Sequence, residues 1–431
     1  MEAFQYTALP ARVVFGFGTI TRVADELVSL DCKRAFVLSD PHHAAIAAAR
    51  LMDALGEFGV QLSTDAVMHT PVEVTERAME KLVACNADCI VALGGGSTIG
   101  LAKALALRTD LPQIVLPTTY AGSEATPVLG ETREGQKSTI RSMKVLPEVI
   151  VYDVELTYGL PPAISLVSGI NAIAHAVEAL YAKDANPVTS SLAEQGIAAL
   201  GRALPRVVSD PTNPSARADA LFGAWICGSC LGSVGMSLHH KLCHVLGGAF
   251  GLPHAETHTV ILPHAVAYNA ASAPAAIDRV ARALGADHAA QALFDLPQPM
   301  VRLPRFARSV CLIPIWTGPR RRRSIHLIGI RAPSSEMRFG NSWTTPIMDV
   351  GLTERRHEMT STIAANDSSS GEIFPELTRD VIDRMKDAES PRLREILELV
   401  VSHVHAIVRE AKITHDEWWK AIDFLTRAGK M

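Results

Sequence analysis

The chain has 431 residues, of which 48% are hydrophobic and 20% charged, and its formal net charge is −4. This length leaves room for two or three domains, and the charge gives no reason to expect nucleic acid or an acidic membrane surface as a partner. With no long apolar run, no signal-peptide features and seven scattered cysteines, we expect an enzyme of the reducing cytoplasm.

Residues 1–156 alternate short β-branched runs with helical segments. Apolar runs predict strands at 34–39, 89–93, 113–116 and 149–152. Strands that alternate with helices are typical of a parallel sheet with crossover helices, whose strands all end at one edge. We therefore predict an α/β domain that binds a dinucleotide.

A glycine loop follows the predicted strand at 89–93. Its residues are Gly94, Gly95, Gly96 and Ser97. The amphipathic stretch 101–107 comes next, so the order is strand, glycine turn, helix. In this layout the amides of a helix N-terminus can hold a pyrophosphate. A larger side chain at Gly95 should block the close approach that a pyrophosphate needs.

A second loop follows the predicted strand at 113–116 and supplies hydroxyl groups. Its candidate cofactor-binding residues are Thr118, Thr119 and Ser123. The strand at 34–39 ends in Asp40, which could bond a ribose 2′-OH. This acidic residue favours NADH over NADPH, and NADPH stays open as the alternative.

Residues 157–296 lose the strand pattern and take up alanine-rich helical periodicity, which predicts an all-α second domain. A CxxC pair, Cys227 and Cys230, lies in an apolar stretch, and we interpret it as packing. Three histidines follow at spacings of four and ten: His240, His244 and His254. These three are the candidate catalytic residues.

Four segments carry a specific resemblance. They read GGGSTIGLAK at 94–103, PTTYAGSEATP at 117–127, GINAIAHAVE at 169–178 and HHKLCHVLGG at 239–248. Together they resemble the iron-containing alcohol dehydrogenase superfamily and, within it, the maleylacetate reductase group. The resemblance implies a dehydroquinate synthase-like fold, in which a dinucleotide-binding α/β domain and a helical domain enclose the active site.

The chain departs from the metal-dependent members at two positions. Their metal ligands correspond to Asn171, His175, His240 and His254, and Asn171 replaces an aspartate. Gly100 stands where those members usually place a second aspartate, near the nicotinamide. Losing an anionic ligand disfavours a divalent ion. We therefore expect no metal, and a cleft that suits a dianionic substrate.

The resemblance implies NAD(P)H-dependent reduction of the C=C bond of maleylacetate to 3-oxoadipate. Hydride addition to this conjugated bond builds an enolate, which hydrogen-bond donors can stabilise. We expect His244 to be the substrate-facing donor or acid, and His240 and His254 to bind carboxylate or enolate oxygen. His239 and His258 receive no role. The partners expected are a small dicarboxylate and further copies of the chain. The alternatives are a metal-dependent alcohol dehydrogenase and an inactive fusion product with residual cofactor binding.

The remaining sequence changes character at residue 297. Residues 297–373 show no sustained period and include four consecutive arginines at 320–323. Such composition is typical of a GC-rich coding sequence read in a shifted frame, and we expect a poorly ordered junction. Residues 374–431 regain a helical pattern and resemble the N-terminal helical domain of intradiol dioxygenases, notably hydroxyquinol dioxygenases. This tail lacks the iron ligands of those enzymes, so it should not cleave rings.

Overall fold

The computed structural model describes residues 3–9, 11–41, 46–133, 136–250 and 252–297, without the side chains of 136, 137 and 245–250. The predicted junction at 297–373 and the predicted tail at 374–431 lie, apart from residue 297, outside the described residues.

Eight strands form the sheets of the N-terminal part. They are β1 (Arg12–Gly16), β2 (Ala35–Ser39), β3 (Gly59–Ser63), β4 (Cys89–Gly94), β5 (Gln113–Pro117), β6 (Val128–Arg133), β7 (Gln136–Arg141) and β8 (Val149–Asp153). Six of them build one parallel sheet in the order β1-β8-β5-β4-β2-β3, and β6 pairs with β7 as an antiparallel hairpin. The predicted strands correspond to β2, β4, β5 and β8, which confirms the α/β prediction.

Eleven α-helices accompany the strands in the described residues. They are α1 (Val23–Ser29), α2 (Ala47–Leu55), α3 (Val72–Ala84), α4 (Gly96–Thr109), α5 (Pro162–Leu180), α6 (Pro187–Ser209), α7 (Pro214–Ser233), α8 (Leu238–Phe250), α9 (His254–Asn269), α10 (Pro274–Ala283) and α11 (Ala289–Asp295). The first four cover the parallel sheet, whose central strands are buried on both faces, as a parallel sheet requires. The other seven form the predicted all-α domain.

Helix α5 is the central helix of the second domain. It is long and apolar enough to cross a membrane, but 89% of that span is buried inside the fold, where α5 packs on α6, α7 and α9. Small residues permit this close packing, because a β-carbon at Gly169 would lie 2.5 Å from Cδ2 of Leu204. Helix α6 begins with a capping box between Asn186 and Thr189, which satisfies amides of its first turn.

Arg217 joins the two domains in the interior. Its fully buried guanidinium on α7 donates to the Tyr120 hydroxyl at 3.0 Å and to the Ser165 hydroxyl at 2.9 Å. It also donates to the carbonyls of Leu160 at 2.8 Å and Pro211 at 2.7 Å. Tyr120 follows β5, and Ser165 lies on α5. One side chain therefore holds the end of a sheet strand against two helices.

The CxxC pair behaves as the sequence predicts. Cys227 and Cys230 are free and buried within α7. Burial raises the pKa of both thiols, Cys230 to about 12, so neither is a thiolate at neutral pH.

Candidate active site

The first cofactor loop lies where β4 passes into α4. Gly95 is the N-cap of α4, so the amides of the first helical turn follow the strand directly. A β-carbon at Gly95 would lie 2.9 Å from Cγ2 of Thr119, whereas one at Gly96 would meet nothing within 4 Å. The space beside Gly96 and the neighbouring Ser97 is therefore open to an anion at a helix N-terminus.

The second loop is bonded to the first. The Thr118 amide donates to the Gly94 carbonyl over 3.1 Å. Three hydroxyls in these segments, those of Thr98, Thr118 and Ser123, are buried without a hydrogen-bond partner among the described residues. Buried hydroxyls are nearly always bonded in folded proteins. Open space beside Gly96 and unpaired hydroxyls nearby therefore fit a polar ligand such as a dinucleotide.

Asp40 lies at the same edge of the sheet as the glycine loop. Strand β2, which ends at Ser39, is paired in parallel with β4, and Ser39 lies opposite Leu93. The chain runs from β2 outwards to β3, then returns to β4 and continues in the other direction through β5 and β8. The strand order therefore reverses between β2 and β4, and open α/β sheets bind their ligands at such reversals.

Three helices bring six histidines together at the second part of the site. They are His175 on α5; His239, His240 and His244 on α8; and His254 and His258 on α9.

The three candidate catalytic histidines lie in this cluster. The ring centroids of His240 and His244 are 6.2 Å apart, and those of His244 and His254 are 6.3 Å apart. His240 is buried and stacks on His175 with centroids 5.0 Å apart, while His244 and His254 are exposed. A substrate would therefore meet His244 and His254 at the surface and His240 at the base.

His239 and His258, which the sequence analysis left without a role, belong to the same cluster. His239 Nε2 lies 3.0 Å from His258 Nδ1, and the His258 ring centroid is 4.3 Å from that of His254. Burial lowers the pKa of both rings well below the usual range, and neighbouring histidines lower it further. Both rings are therefore neutral at neutral pH. The sequence feature that could have indicated His258 is its position one helical turn after His254.

Three buried polar atoms at the base of the cluster have no partner among the described residues. They are Oδ1 of Asn171, Nδ1 of His175 and Nε2 of His240. Burial lowers the pKa of His175 well below its usual range, so this ring is neutral too. The base of the site therefore offers unpaired polar atoms to a ligand.

Glu178 belongs to this cluster, although the sequence analysis assigned it no role. Its fully buried carboxylate on α5 accepts from the amides of Ser237 and His239, each at 2.7 Å, and lies 2.8 Å from Nδ1 of His240. A carboxylate only accepts hydrogen bonds, so the His240 hydrogen lies on Nδ1. The ring is thereby held with Nε2 as its unpaired nitrogen. No sequence spacing pairs Glu178 with a residue some sixty positions later.

We expect Glu178→Gln to lower kcat about 10- to 100-fold, the usual effect of losing a carboxylate that orients a functional histidine. The amide cannot hold the His240 ring and both backbone amides in the same way. Steady-state kinetics, with circular dichroism to verify folding, measures the effect. Glu194→Gln is the matched control, because Glu194 pairs with Arg279 and Arg282 away from the cluster. A folded Glu178→Gln variant with the kcat of the unmodified protein would contradict the orienting role.

The chain matches known protein families in its reductase-like region and in its tail. Residues 10–154 match the iron-containing alcohol dehydrogenase family, and residues 165–309 match the C-terminal domain of the Fe-containing alcohol dehydrogenase family. Residues 390–431 match the catechol dioxygenase N terminus, which confirms the resemblance of the tail.

Several relatives are maleylacetate reductases. That of Rhizobium sp. (strain MTP-10005) is 55% identical over 295 residues, which cover 68% of this chain and 84% of that protein. Its crystal structure superposes with a TM-score of 0.67 over 69% of this chain and 84% of that chain. That of Sphingobium indicum is 55% identical over 293 residues, which cover 68% of this chain and 83% of that protein.

A third relative extends the comparison. The crystal structure of maleylacetate reductase from Agrobacterium tumefaciens superposes with a TM-score of 0.67 at 49% identity, covering 75% of this chain and 95% of that chain. With relatives 55% identical over 68% of its length and family matches at residues 10–154 and 165–309, the chain belongs to the iron-containing alcohol dehydrogenase family.

Proposed function

We propose that this chain reduces the C=C bond of maleylacetate with NADH and yields 3-oxoadipate. The observation that carries the proposal is the histidine cluster, in which the neutral amide of Asn171 stands at the family's carboxylate position. The relatives that are 55% identical to this chain are maleylacetate reductases. The test is NADH oxidation by the purified protein with maleylacetate. Absence of turnover with a folded, NADH-binding protein would refute the proposal.

The cluster supplies what this reduction needs. When bound, the nicotinamide supplies a hydride, which adds to the alkene carbon β to the ketone of the substrate. The electron pair of the double bond moves towards the ketone, and an enolate forms. His254 binds the enolate or a carboxylate oxygen, and His244 gives a proton to the α-carbon. Nε2 of His240 carries no hydrogen while Nδ1 bonds to Glu178, so, unlike the expectation from the sequence, it accepts a hydrogen bond and does not hold an anionic oxygen. Hydride and proton together complete a two-electron reduction.

The charge of the site favours a dianionic substrate. Asn171 and Gly100 leave no carboxylate at two positions where metal-dependent members carry one. The described carboxylate beside the cluster, that of Glu178, is fully buried and bonded to N–H groups. A substrate with two carboxylates therefore meets little repulsion in the cleft.

Iron, which the family name implies, would meet no free carboxylate among the residues at the family's metal-ligand positions. Asn171 offers an uncharged oxygen, His175 and His240 offer imidazole nitrogens, and Glu178 already accepts from three groups. The four metal-ligand positions therefore hold no anionic ligand, which weakens them for a divalent ion relative to the metal-dependent members. Three buried nitrogens nearby, from His239, His240 and His258, lie within 4.8 Å of one another but are likewise without a carboxylate ligand in the described part of the chain. We therefore propose that the reduction proceeds without iron. Retained activity in a chelator would separate this reaction from that of a metal-dependent alcohol dehydrogenase.

Restoring the carboxylate should restore metal affinity. We expect Asn171→Asp to raise the affinity for Zn²⁺ or Fe²⁺ about tenfold or more, because a charge is added next to the ion. The KM for maleylacetate should rise for the same reason. Isothermal titration measures the metal affinity of the variant and of the unmodified protein. Elemental analysis after dialysis measures the metal that each protein retains. Asn213→Asp, at the N-cap of α7, is the isosteric control. Unmodified protein that purifies with stoichiometric iron or zinc would show this account to be wrong.

We propose NADH rather than NADPH as the reductant because Asp40 follows β2 at the edge where the strand order reverses. A carboxylate there accepts from a ribose 2′-OH and repels a 2′-phosphate. Comparing kcat/KM for the two nucleotides tests this assignment. We also expect a homo-oligomer in the cytoplasm.

The match to the iron-containing alcohol dehydrogenase family ends at residue 309. The sequence match to the Rhizobium reductase covers 84% of that protein, so part of that protein is unmatched here. We propose that a frameshift replaced this part and joined the reductase to a dioxygenase N-terminal segment, which should not cleave rings by itself. The coding DNA tests the frameshift. A thermal shift with NADH distinguishes an active enzyme or cofactor-binding product from one that no longer binds its cofactor.

A further inference from the structure

Lys103 is a buried lysine in the middle of α4, the helix whose N-terminus forms the first cofactor loop. Only 1% of its surface is exposed. Its Nζ donates to the carbonyls of Ser123 at 2.6 Å, Thr126 at 2.7 Å and Val128 at 3.0 Å, and to the Thr126 hydroxyl at 3.1 Å. All four acceptors belong to the second cofactor loop or to the first residue of β6. The lysine thus bonds one cofactor-binding segment to the other.

Burying the ammonium group of Lys103 is energetically unfavourable, which points to a structural role for its hydrogen bonds. Burial lowers its pKa to about 7, and only the nearby Glu124 carboxylate opposes that effect. Glu124 is itself buried in the second loop and accepts from the Tyr152 hydroxyl at 3.0 Å. A buried ammonium is tolerated only where hydrogen bonds compensate it, and an apolar side chain in the same place would leave the loop carbonyls without this donor. The position therefore serves to hold the loop.

The opposite side of the loop rests on the helical domain. Gly122 adopts a left-handed conformation with φ of 77°, and a β-carbon there would lie 3.0 Å from Cα of Gly228 on α7. A β-carbon on Gly228 would in turn overlap the Gly122 backbone. Backbone thus meets backbone on this side, with no side chain between them. The loop is held between this contact and Lys103.

We propose that Lys103 is a positioning residue for the cofactor, which fixes the second loop relative to the helix N-terminus and so sets the affinity for NADH. The inference rests on the proposed function, because it takes NADH as the ligand of both loops. Ser123 carries one of the unpaired hydroxyls, and its carbonyl is bonded directly to Lys103. Releasing that bond frees the hydroxyl to move away from the ligand.

Lys103→Met should raise the Kd for NADH about tenfold or more, because hydrogen bonds to a charged group are among the stronger ones. The kcat at saturating NADH should stay within about threefold of the unmodified value, since the lost bonds act on cofactor binding and not on the histidines. A fluorescence titration with NADH measures Kd directly and needs no substrate. Lys81→Met on α3 is the matched control, because Lys81 pairs with Asp65 away from the loops.

Hydrogen exchange separates loop positioning from general destabilisation. In Lys103→Met the amides of residues 119–128 should exchange faster, while those of β4 and β5 keep their protection. If Lys103→Met does not fold, Thr126→Val decides, because it removes one acceptor with little change in shape and should raise Kd several-fold. Folded variants that bind NADH as tightly as the unmodified protein would overturn the inference. An unmodified protein that binds no NADH would instead overturn the proposed function.

Discussion

His244→Asn should lower kcat for maleylacetate reduction about 100-fold or more, the usual contribution of a positioned general acid. His244 is exposed and lies between buried His240 and exposed His254, with ring centroids 6.2 and 6.3 Å away. Asparagine keeps a polar side chain of similar reach but has no titratable proton. The substrate should still bind through His254, so the loss should fall on kcat and leave KM nearly unchanged.

His288→Asn provides the control for this experiment. His288 is exposed and precedes α11, away from the cluster, and asparagine is a good N-cap. Single-turnover measurements with preformed NADH complex would show whether the chemical step itself has slowed. If His244→Asn keeps its full kcat, the proton comes from another group and the assignment of His244 is wrong.

Gly96→Val should abolish NADH binding while the fold persists. A β-carbon at Gly96 meets no atom of the protein within 4 Å, so a branched side chain fits the apoprotein without collision. It would fill the space at the N-terminus of α4 where a pyrophosphate needs to approach the amides. An NADH titration together with a thermal melt measures both effects. Unchanged NADH affinity would remove the glycine loop from the cofactor site.

The same substitution at Gly95, which the sequence suggests first, gives a less direct test. A β-carbon there would lie 2.9 Å from Cγ2 of Thr119, so valine would displace the second loop as well as block the first. Gly159→Val is the matched control for Gly96→Val. Gly159 is exposed and lies away from both loops, and a β-carbon there would also meet nothing within 4 Å.

The sequence predicts the central strands well and the outer ones poorly. Strands β2, β4, β5 and β8 are buried along their whole length, so each is a continuous apolar run. Strand β1 at one edge and β3 at the other are partly exposed, and their mixed composition gives no clear run. The β6–β7 hairpin is largely polar. A strand that is buried on both faces is a continuous apolar run, and such a run can be recognised in a sequence.

The site shows a similar division. Spacing along the chain singled out His240, His244 and His254, and the structure brings their rings together in one cluster. Glu178 stayed without a role, since its bonds to Ser237 and His240 exist only when α5 packs beside the start of α8. Contacts between distant segments depend on packing, which a single sequence does not display.

Arg217 has a consequence for how the molecule unfolds. Its guanidinium is fully buried and bonds only to uncharged oxygens, from Tyr120, Leu160, Ser165 and Pro211. Separating the sheet from the helices would break its bond to Tyr120, the one of these four partners that lies in the α/β part, and would leave the buried Tyr120 hydroxyl unpaired, which is unfavourable. Partial opening at the boundary near residue 156 is therefore suppressed. The α/β and helical parts, although distinct in architecture, should melt together in one cooperative transition, and neither should be stable when excised alone.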